Sequence, residues 1–204
     1  MEQMVNRYKK VLILRHGKTE ANFEKRYIGS RTDIPLSEEG ISLVEDAASH
    51  IRQVAGEDIF LVSSPMKRAV QTAEIIFPSE ELLLLEGLTE IDFGDFEGKN
   101  YEELKDNPDY QRWIDSNGTM PFPNGEDRAD FIDRSVAEFY EILSLSGGRT
   151  PVVICHGGNI MAIMSHLTGK DYYDFMIGNM GGYMLSLTLE NERIMDISYN
   201  CINL

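Results

Sequence analysis

The sequence predicts a single-domain α/β fold, in which a mostly parallel sheet carries helices on both faces. The chain has 204 residues, of which 42% are hydrophobic, and this is enough for one sizeable core. Short aliphatic segments alternate along the chain with segments whose apolar residues recur every three or four positions. Repeated strand-then-helix units of this kind are typical of a sheet covered on both faces. We therefore interpret residues 1–204 as one domain.

The first strand-then-helix unit occupies the N-terminal quarter of the chain. Tyr8–Leu14 is short, aliphatic and without a helical stripe, which predicts a buried strand. Ser37 precedes two acidic residues, which suit the first turn of a helix, and apolar residues then recur at helical spacing as far as Ile51. The sequence therefore predicts a helix that begins near Ser37.

The next part of the chain contains two further predicted strands. Ile59–Val62 is predicted as a strand, and Met66–Phe77 as the helix that follows it. Ser64 is predicted as the N-cap of this helix and Pro65 as its first residue, because each residue type is favoured at that position. Leu82–Leu88 is predicted as the third strand.

The second half of the chain begins with a long irregular segment. Glycines and prolines interrupt residues 91–125, which predicts a surface excursion with short helices, and such excursions often cover sites. The segments after it are predicted as a helix, a strand, a helix and a hairpin: Glu126–Leu145, Pro151–Cys155, Asn159–Thr168, and Tyr183–Leu189 with Arg193–Tyr199. Aromatic residues of the excursion could contact a ring of the substrate, but we interpret them as packing the excursion onto the domain: Tyr101, Tyr110, Trp113 and Phe122.

The composition excludes several classes of protein. The net charge of −15 argues against nucleic acid or an anionic membrane as a main partner, since both bind basic surfaces. Apolar runs span only a few residues, far short of the roughly 18 to 20 that a membrane span needs. Two cysteines, Cys155 and Cys201, cannot form a disulfide framework, and no zinc-binding spacing is present. Because no apolar signal-peptide core follows the N-terminus, we expect a cytoplasmic protein.

Charged side chains concentrate where the predicted strands end. Five of them follow these strands directly or lie in the next turn: Arg15, His16, Arg68, Glu90 and His156. Because the carboxyl ends of parallel strands meet at one edge of a sheet, we expect these side chains to lie close together. Basic charge gathers in the same region, since residues 1–35 hold eight Lys/Arg against four Asp/Glu in an otherwise acidic chain.

These residue types suit phosphoryl chemistry. The two arginines are rigid forks of donors that match phosphate oxygens and stay charged. A neutral histidine, held by a backbone carbonyl on one ring nitrogen, can attack phosphorus with the other. An acid whose pKa is raised can then protonate the departing alkoxide. On spacing alone, three acids compete for that role: Glu90, Asp92 and Glu97.

Several blocks of sequence resemble, in the expected order, the motifs of the histidine phosphatase superfamily, also called phosphoglycerate mutase-like. The first is RHGKTEAN, from Arg15 to Asn22. The others are SSPMKRA at 63–69, LTE at 88–90, FGDFEG at 93–98, NGE at 124–126 and CHGG at 155–158. A single RHG triplet is weak evidence, but this ordered set covers nearly the whole chain. The resemblance implies a phosphoglycerate mutase-like fold.

The resemblance also implies a role for each matching residue. His16 is expected to carry the phosphoryl group during turnover, and Glu90 to act as acid and then as base for water, with Asp92 as the fallback. The remaining positions are expected to bind the phosphoryl group or the substrate: Arg15, Arg68, His156, Asn22, Gly29 and Gly157. No metal and no cofactor are expected.

One branch of the superfamily resembles this chain in more detail. Tyr27–Leu36, the FGDFEG block and the overall length are similar to bacterial α-ribazole phosphatases, which act late in cobalamin nucleotide-loop synthesis. Mutases are usually longer and carry a basic insertion, whereas residues 91–125 hold three basic residues among a larger number of acidic ones. We therefore expect a phosphatase that acts on a small phosphomonoester, with α-ribazole 5′-phosphate as candidate substrate.

Other functions stay open at this point. A phosphoglycerate mutase and a broad-specificity sugar-phosphate phosphatase share most of these motifs. A non-catalytic regulatory member could bind phosphate without cleaving it, although both histidines, both arginines and the acid are retained. A metallohydrolase is a weaker alternative, because His16 and His156 have no recognised zinc spacing. The sequence makes no prediction of the oligomeric state.

Overall fold

In the computed structural model, which describes residues 7–191 and 193–203, the strands join into one mixed sheet. The strands are β1 (Arg7–Arg15), β2 (Ile59–Ser63), β3 (Leu82–Leu84), β4 (Thr150–Cys155), β5 (Gly182–Glu190) and β6 (Arg193–Ile202). Their order across the sheet is β3-β2-β4-β1-β5-β6. The first four in this order are parallel, and the β5–β6 hairpin pairs antiparallel to β1 at the other end. The prediction of a mostly parallel sheet is confirmed.

The helices connect these strands and fill the excursion. The α-helices are α1 (Glu20–Phe23), α2 (Glu38–Ala55), α3 (Lys67–Ile76), α4 (Tyr101–Leu104), α5 (Pro108–Asp115), α6 (Arg128–Leu145) and α7 (Gly157–Thr168). Short 3₁₀-helices span Glu86–Leu88, Gly94–Phe96 and Tyr172–Phe175. Within the described ranges, no helix combines the length and the apolar composition needed to cross a bilayer.

The core lies on both faces of the sheet, as predicted. Side chains of β1 alternate between the faces, so that Val11 and Ile13 pack against α6 and α7, while Leu12 and Leu14 pack against α2 and α3. All four are fully buried. Complete burial of an aliphatic side chain contributes roughly 1.5 to 3 kcal/mol, which makes this strand a rigid support for the residues that follow it.

The excursion has a small apolar cluster of its own. Phe96, Leu104, Tyr110 and Phe122 are buried there, and the cluster continues onto Phe131 of α6. The excursion is therefore an ordered layer that packs against α6 near the carboxyl ends of the parallel strands.

The predicted start of α3 and the predicted end of β3 were wrong. Ser64 is not the N-cap of α3, because that helix begins at Lys67 with Met66 at its N-cap, and Pro65 precedes it. The third strand ends at Leu84 and gives way to a 3₁₀ turn instead of continuing to Leu88. At Ser64 a tertiary contact competes with local preference, since its hydroxyl lies 2.8 Å from the His156 ring.

Candidate active site

The site lies at the carboxyl ends of three adjacent parallel strands. Arg15 at the end of β1 is paired with Cys155 at the end of β4, and Ser63 at the end of β2 is paired with Ile154. His16, Ser64 and His156 therefore leave the sheet side by side. This is the convergence that the sequence predicted, and it follows from the sheet topology.

His16 is buried with one ring nitrogen engaged. Its Nδ1 lies 2.6 Å from the carbonyl oxygen of Gly17, so a proton on Nδ1 donates there and leaves the Nε2 lone pair available. Burial, followed by the charges of Arg68 and Arg15, holds the pKa of His16 well below its usual range, against the smaller effect of the Gly17 hydrogen bond. The imidazole is therefore neutral at neutral pH.

His156 faces His16 across the site. The two ring centroids lie 5.1 Å apart at an interplanar angle of 62°. Nε2 of His156 contacts the Ser64 hydroxyl, whereas Nδ1 is buried and has no hydrogen-bond partner among the described residues. Burial, with the charges of Arg68 and His16, lowers the pKa of His156 well below its usual range.

Arg15 and Arg68 bring two buried positive charges to the same site. Arg15 donates to the Ile177 carbonyl at 2.7 Å, but its Nε has no partner in the described part of the chain. Arg68 is 1% exposed, and its guanidinium donates to backbone carbonyls that include those of Thr32, at 3.1 Å, and Gly29, at 3.3 Å. Within the described ranges neither guanidinium forms an ion pair with a carboxylate. Buried cations without a counterion favour an anionic ligand.

Glu90 is the acid that the fold places beside these groups. Its carboxyl oxygens accept hydrogen bonds from the backbone of Ile91, at 3.0 Å, and of Gly158, at 3.3 Å. The side chain is 8% exposed, and burial raises its pKa above the usual range, even though the two hydrogen bonds and the arginines oppose this. Burial therefore favours the protonated acid.

The other two acids that spacing left open lie elsewhere. Asp92 pairs with Arg31 at 2.8 Å, and Glu97 accepts a hydrogen bond from the backbone of Gly29 at 2.9 Å. Neither lines the cavities that contain Glu90. The structure thus separates three candidates that the sequence alone could not.

The remaining predicted positions have different surroundings. Asn22 lines the pocket, where its Oδ1 accepts hydrogen bonds from Thr19. Gly157 begins α7, and a side chain there would sit 3.6 Å from the Arg15 guanidinium. Gly29 lies outside the pocket lining, and a Cβ on it would overlap the carbonyl oxygen of Ile91. Its contact with the site is the carbonyl that accepts from Arg68, so a direct substrate contact by Gly29 stays a prediction.

Several residues around the site were missed by the sequence reasoning. Asn179 donates to the carbonyl oxygens of His16, at 3.1 Å, and Gly17, at 3.2 Å, and the Thr72 hydroxyl accepts from the Gly17 N–H at 3.0 Å. Arg134 donates to the carbonyl oxygen of Glu90 at 3.2 Å. These residues occur inside helices or in a loop with no motif around them, so no local signal pointed to them.

Two neighbouring cavities lie at this edge of the sheet and share four wall residues. The smaller, of about 190 Å³, contains His16, Asn22 and Arg68 among its walls. The larger, of about 460 Å³, lies between the core and the excursion. Arg15 and Glu90 line both cavities, so a group in the larger one meets the acid and one arginine.

The arrangement can bind a phosphoryl group, attack it and protonate what leaves. Arg15 and Arg68 line the pocket into which His16 offers a free Nε2, while His156 is fully buried behind His16 and a contact of His156 with the phosphoryl oxygens stays a prediction. In the described residues no three His, Cys, Asp or Glu side chains are grouped so that they could hold a metal ion. The charges that face a phosphoryl group here belong to the arginines.

Comparison with known proteins identifies the motif set. A family model for the histidine phosphatase superfamily (branch 1) matches residues 11–197. The uncharacterized phosphatase PhoE of Bacillus subtilis is 29% identical over 163 residues, which cover 79% of this chain and 78% of that protein. The crystal structure of phosphoserine phosphatase from Entamoeba histolytica, in complex with 3-phosphoglyceric acid, is 28% identical, with a TM-score of 0.77 and coverage of 94% and 96%. The α-ribazole phosphatase of Shigella flexneri shares the fold at 22% identity, with a TM-score of 0.73 and coverage of 91% and 93%.

Proposed function

The chain belongs to the histidine phosphatase superfamily, and from this premise we propose that it is a metal-independent phosphomonoesterase that works through a phosphohistidine at His16. One observation carries the proposal. The neutral His16 ring is fixed by the Gly17 carbonyl so that Nε2 is free inside a pocket with two unpaired arginines. Nucleophile and charge stabilisation are therefore present together.

The first chemical step transfers the phosphoryl group to the enzyme. Nε2 of His16 forms a bond to phosphorus while the bond from phosphorus to the ester oxygen breaks. Glu90 donates its proton to that departing oxygen, which leaves as an alcohol. Its buried carboxyl group is suited to this role because burial raises its pKa.

The second step returns the enzyme to its starting state. Glu90, now ionised, accepts a proton from water as the water oxygen bonds to phosphorus. The bond between phosphorus and His16 Nε2 breaks, and inorganic phosphate leaves. Arg15, Arg68 and His156 bind the phosphoryl oxygens through both steps.

α-Ribazole 5′-phosphate is the candidate substrate within this class. The support is the similarity of Tyr27–Leu36 and the FGDFEG block to α-ribazole phosphatases, together with a second cavity of about 460 Å³ that suits an alcohol much larger than serine or glycerate. Phosphoserine is the competing candidate, because the Entamoeba histolytica relative is 28% identical over most of both chains.

The test is phosphate release in excess EDTA from five esters: α-ribazole 5′-phosphate, phosphoserine, 3-phosphoglycerate, a nucleoside monophosphate and 4-nitrophenyl phosphate. We expect hydrolysis of the ribazole ester with a kcat/KM of about 10⁴ M⁻¹s⁻¹ or more, and no turnover by His16→Ala. His50→Ala, which removes an exposed imidazole on α2, is the matched control and should behave like the wild type. Inhibition by EDTA, or full activity of His16→Ala, would contradict the mechanism. Equal slow release from every ester would contradict the substrate alone.

A further inference from the structure

The larger cavity has walls that the phosphoryl chemistry does not need. Aromatic side chains of the excursion form one side, and Tyr172, Tyr173 and Met161 form the other. Its volume of about 460 Å³ falls within the range of small-molecule sites. Because Glu90 lies where the two cavities meet, an alcohol that leaves a phosphoryl group at His16 leaves into this space.

Arg128 is the charged residue of this cavity that lies away from the phosphoryl pocket. Its guanidinium carbon sits over the rings of Tyr172, at 5.3 Å, and Tyr173, at 5.9 Å. One of its nitrogens donates to the Asn117 carbonyl at 3.2 Å. The side chain is half-buried, and in the described part of the chain it forms no ion pair, although the protein as a whole carries a charge of −15. A guanidinium has five donors, so most of those on Arg128 are left for a ligand.

A chain of contacts links Arg128 with Glu90. The Gly158 N–H donates to Glu90 at 3.3 Å, and the hydroxyl of Tyr172 donates to the Gly158 carbonyl at 3.3 Å. Arg128 stacks on that same tyrosine ring. Arg128 and Glu90 therefore line the same cavity, with Tyr172 and Gly158 between them.

We propose that the larger cavity binds the alcohol part of the substrate through an apolar ring, and that Arg128 is a specificity-determining residue that donates hydrogen bonds to an acceptor on the far side of that ring. This inference rests on the proposed function, whose substrate class it narrows. Serine and glycerate carry no ring, so they leave the aromatic walls uncovered. The benzimidazole base of α-ribazole has both a ring and an acceptor nitrogen.

The kinetic test uses three aryl phosphates that differ only at the far end of the ring. They are 3-(4-phosphonooxyphenyl)propanoate, its primary amide, and the branched-alkyl analogue of the same shape, which has no acceptor. The first ratio divides kcat/KM for the carboxylate by kcat/KM for the alkyl ester, and in Arg128→Met it should be about tenfold or more below its wild-type value. The second ratio divides kcat/KM for the amide by kcat/KM for the alkyl ester, and it should fall by less. Arg128→Lys should keep part of the carboxylate preference. Arg112→Met, which removes an exposed arginine of α5 outside the cavity, should leave both ratios unchanged.

A second readout does not depend on turnover. Trp113 is the sole tryptophan of the chain and lines the cavity, so its fluorescence reports occupancy by the phosphate-free phenols. In wild type the Kd of the carboxylate phenol should be lower than the Kd of the alkyl phenol. In Arg128→Met this difference between the two Kd values should be smaller. Discrimination in fluorescence without hydrolysis would reject the proposed function and keep this inference. Hydrolysis with the same ratios in wild type and Arg128→Met, or no fluorescence change with any phenol, would overturn the inference.

Discussion

At Glu90, burial and hydrogen bonding change the pKa in opposite directions, and burial has the larger effect. The same burial lowers the pKa of His16, because an imidazolium is the charged form that desolvation disfavours. One physical cause therefore shifts His16 toward its neutral form and Glu90 toward its protonated form. These are the forms that the first step of the proposed mechanism uses.

Replacement of Glu90 by glutamine tests the role of the acid. The amide side chain in Glu90→Gln keeps the shape of the carboxyl group but is no acid, so esters of poorly leaving alkyl alcohols should lose about a hundredfold or more in kcat/KM, which reports only the steps up to phosphoryl transfer. Esters such as 4-nitrophenyl phosphate should lose less than about tenfold, since their leaving group departs as an anion. Steady-state kinetics on an alkyl and an aryl ester measure the difference.

Asp92→Asn is the matched control for that experiment. Asp92 is close in sequence but pairs with Arg31, outside both cavities, so this variant should lose at most about 1 kcal/mol of stability and keep its leaving-group dependence. Equal losses of kcat/KM on the two esters in Glu90→Gln would show that Glu90 is not the acid. A larger loss on the alkyl ester than on the aryl ester in Asp92→Asn would point to Asp92 instead.

At the scale of secondary structure, the N-terminus of α7 organises much of the site. His156 occupies the N-cap position, and the helix begins at Gly157, two residues before the predicted start at Asn159. The first turn places the Gly158 N–H against Glu90, while the positive end of the helix dipole faces the pocket. Gly158 permits this close approach because it carries no side chain.

Gly158→Ala tests how closely the helix and the acid are packed. A Cβ at this position would overlap a carboxyl oxygen of Glu90 and lie 2.9 Å from the ring of Phe131. Glu90 must then move, so kcat should fall about tenfold or more, with a loss of roughly 1 to 3 kcal/mol in the free energy of unfolding. Gly148→Ala, where no atom lies within 4 Å of the added carbon, controls for the substitution itself. Wild-type kinetics in Gly158→Ala would show that Glu90 has more room than this packing allows.

Across the whole molecule, the charge at the site is opposite to the net charge. The protein carries −15, yet its buried pocket contains Arg15 and Arg68, which come from different strand-to-helix connections. Two neutral histidines are buried beside them. The stability of the fold is therefore linked to the protonation of the site.

That linkage predicts how stability depends on pH. The folded pKa values of His16 and His156 lie below the unfolded value, so the unfolded chain binds more protons and stability is lost as pH falls below about 6.5. Each histidine should contribute a loss of about 1 kcal/mol between pH 7.5 and 5.5. Urea unfolding at both pH values should show that the free energy of unfolding falls by about 1 kcal/mol less in His16→Ala than in wild type.

Val44→Ala is the control, because it changes the core and removes no titratable group. Its free energy of unfolding should fall between the two pH values by as much as that of wild type. An equal fall in His16→Ala and wild type would contradict the linkage.

The sequence by itself determined the fold class and predicted that Arg15, His16, Arg68 and His156 meet at one edge of the sheet, with three acids as candidates on spacing alone. Strand and helix periodicity are local properties, and the carboxyl ends of parallel strands meet wherever such a sheet forms. Element boundaries were less well predicted where a side chain such as Ser64 had a partner far away in the chain.

Only the tertiary structure decided which acid faces the pocket, which protonation states burial favours, and where Arg128 lies. Asn179 contacts His16 across 163 positions of sequence, and Arg134 reaches the Glu90 carbonyl across 44. Spacing along the chain carries no information about such pairs. Burial, which sets the pKa of each site residue, is likewise a property of the folded molecule, because it depends on how all the surrounding elements exclude water.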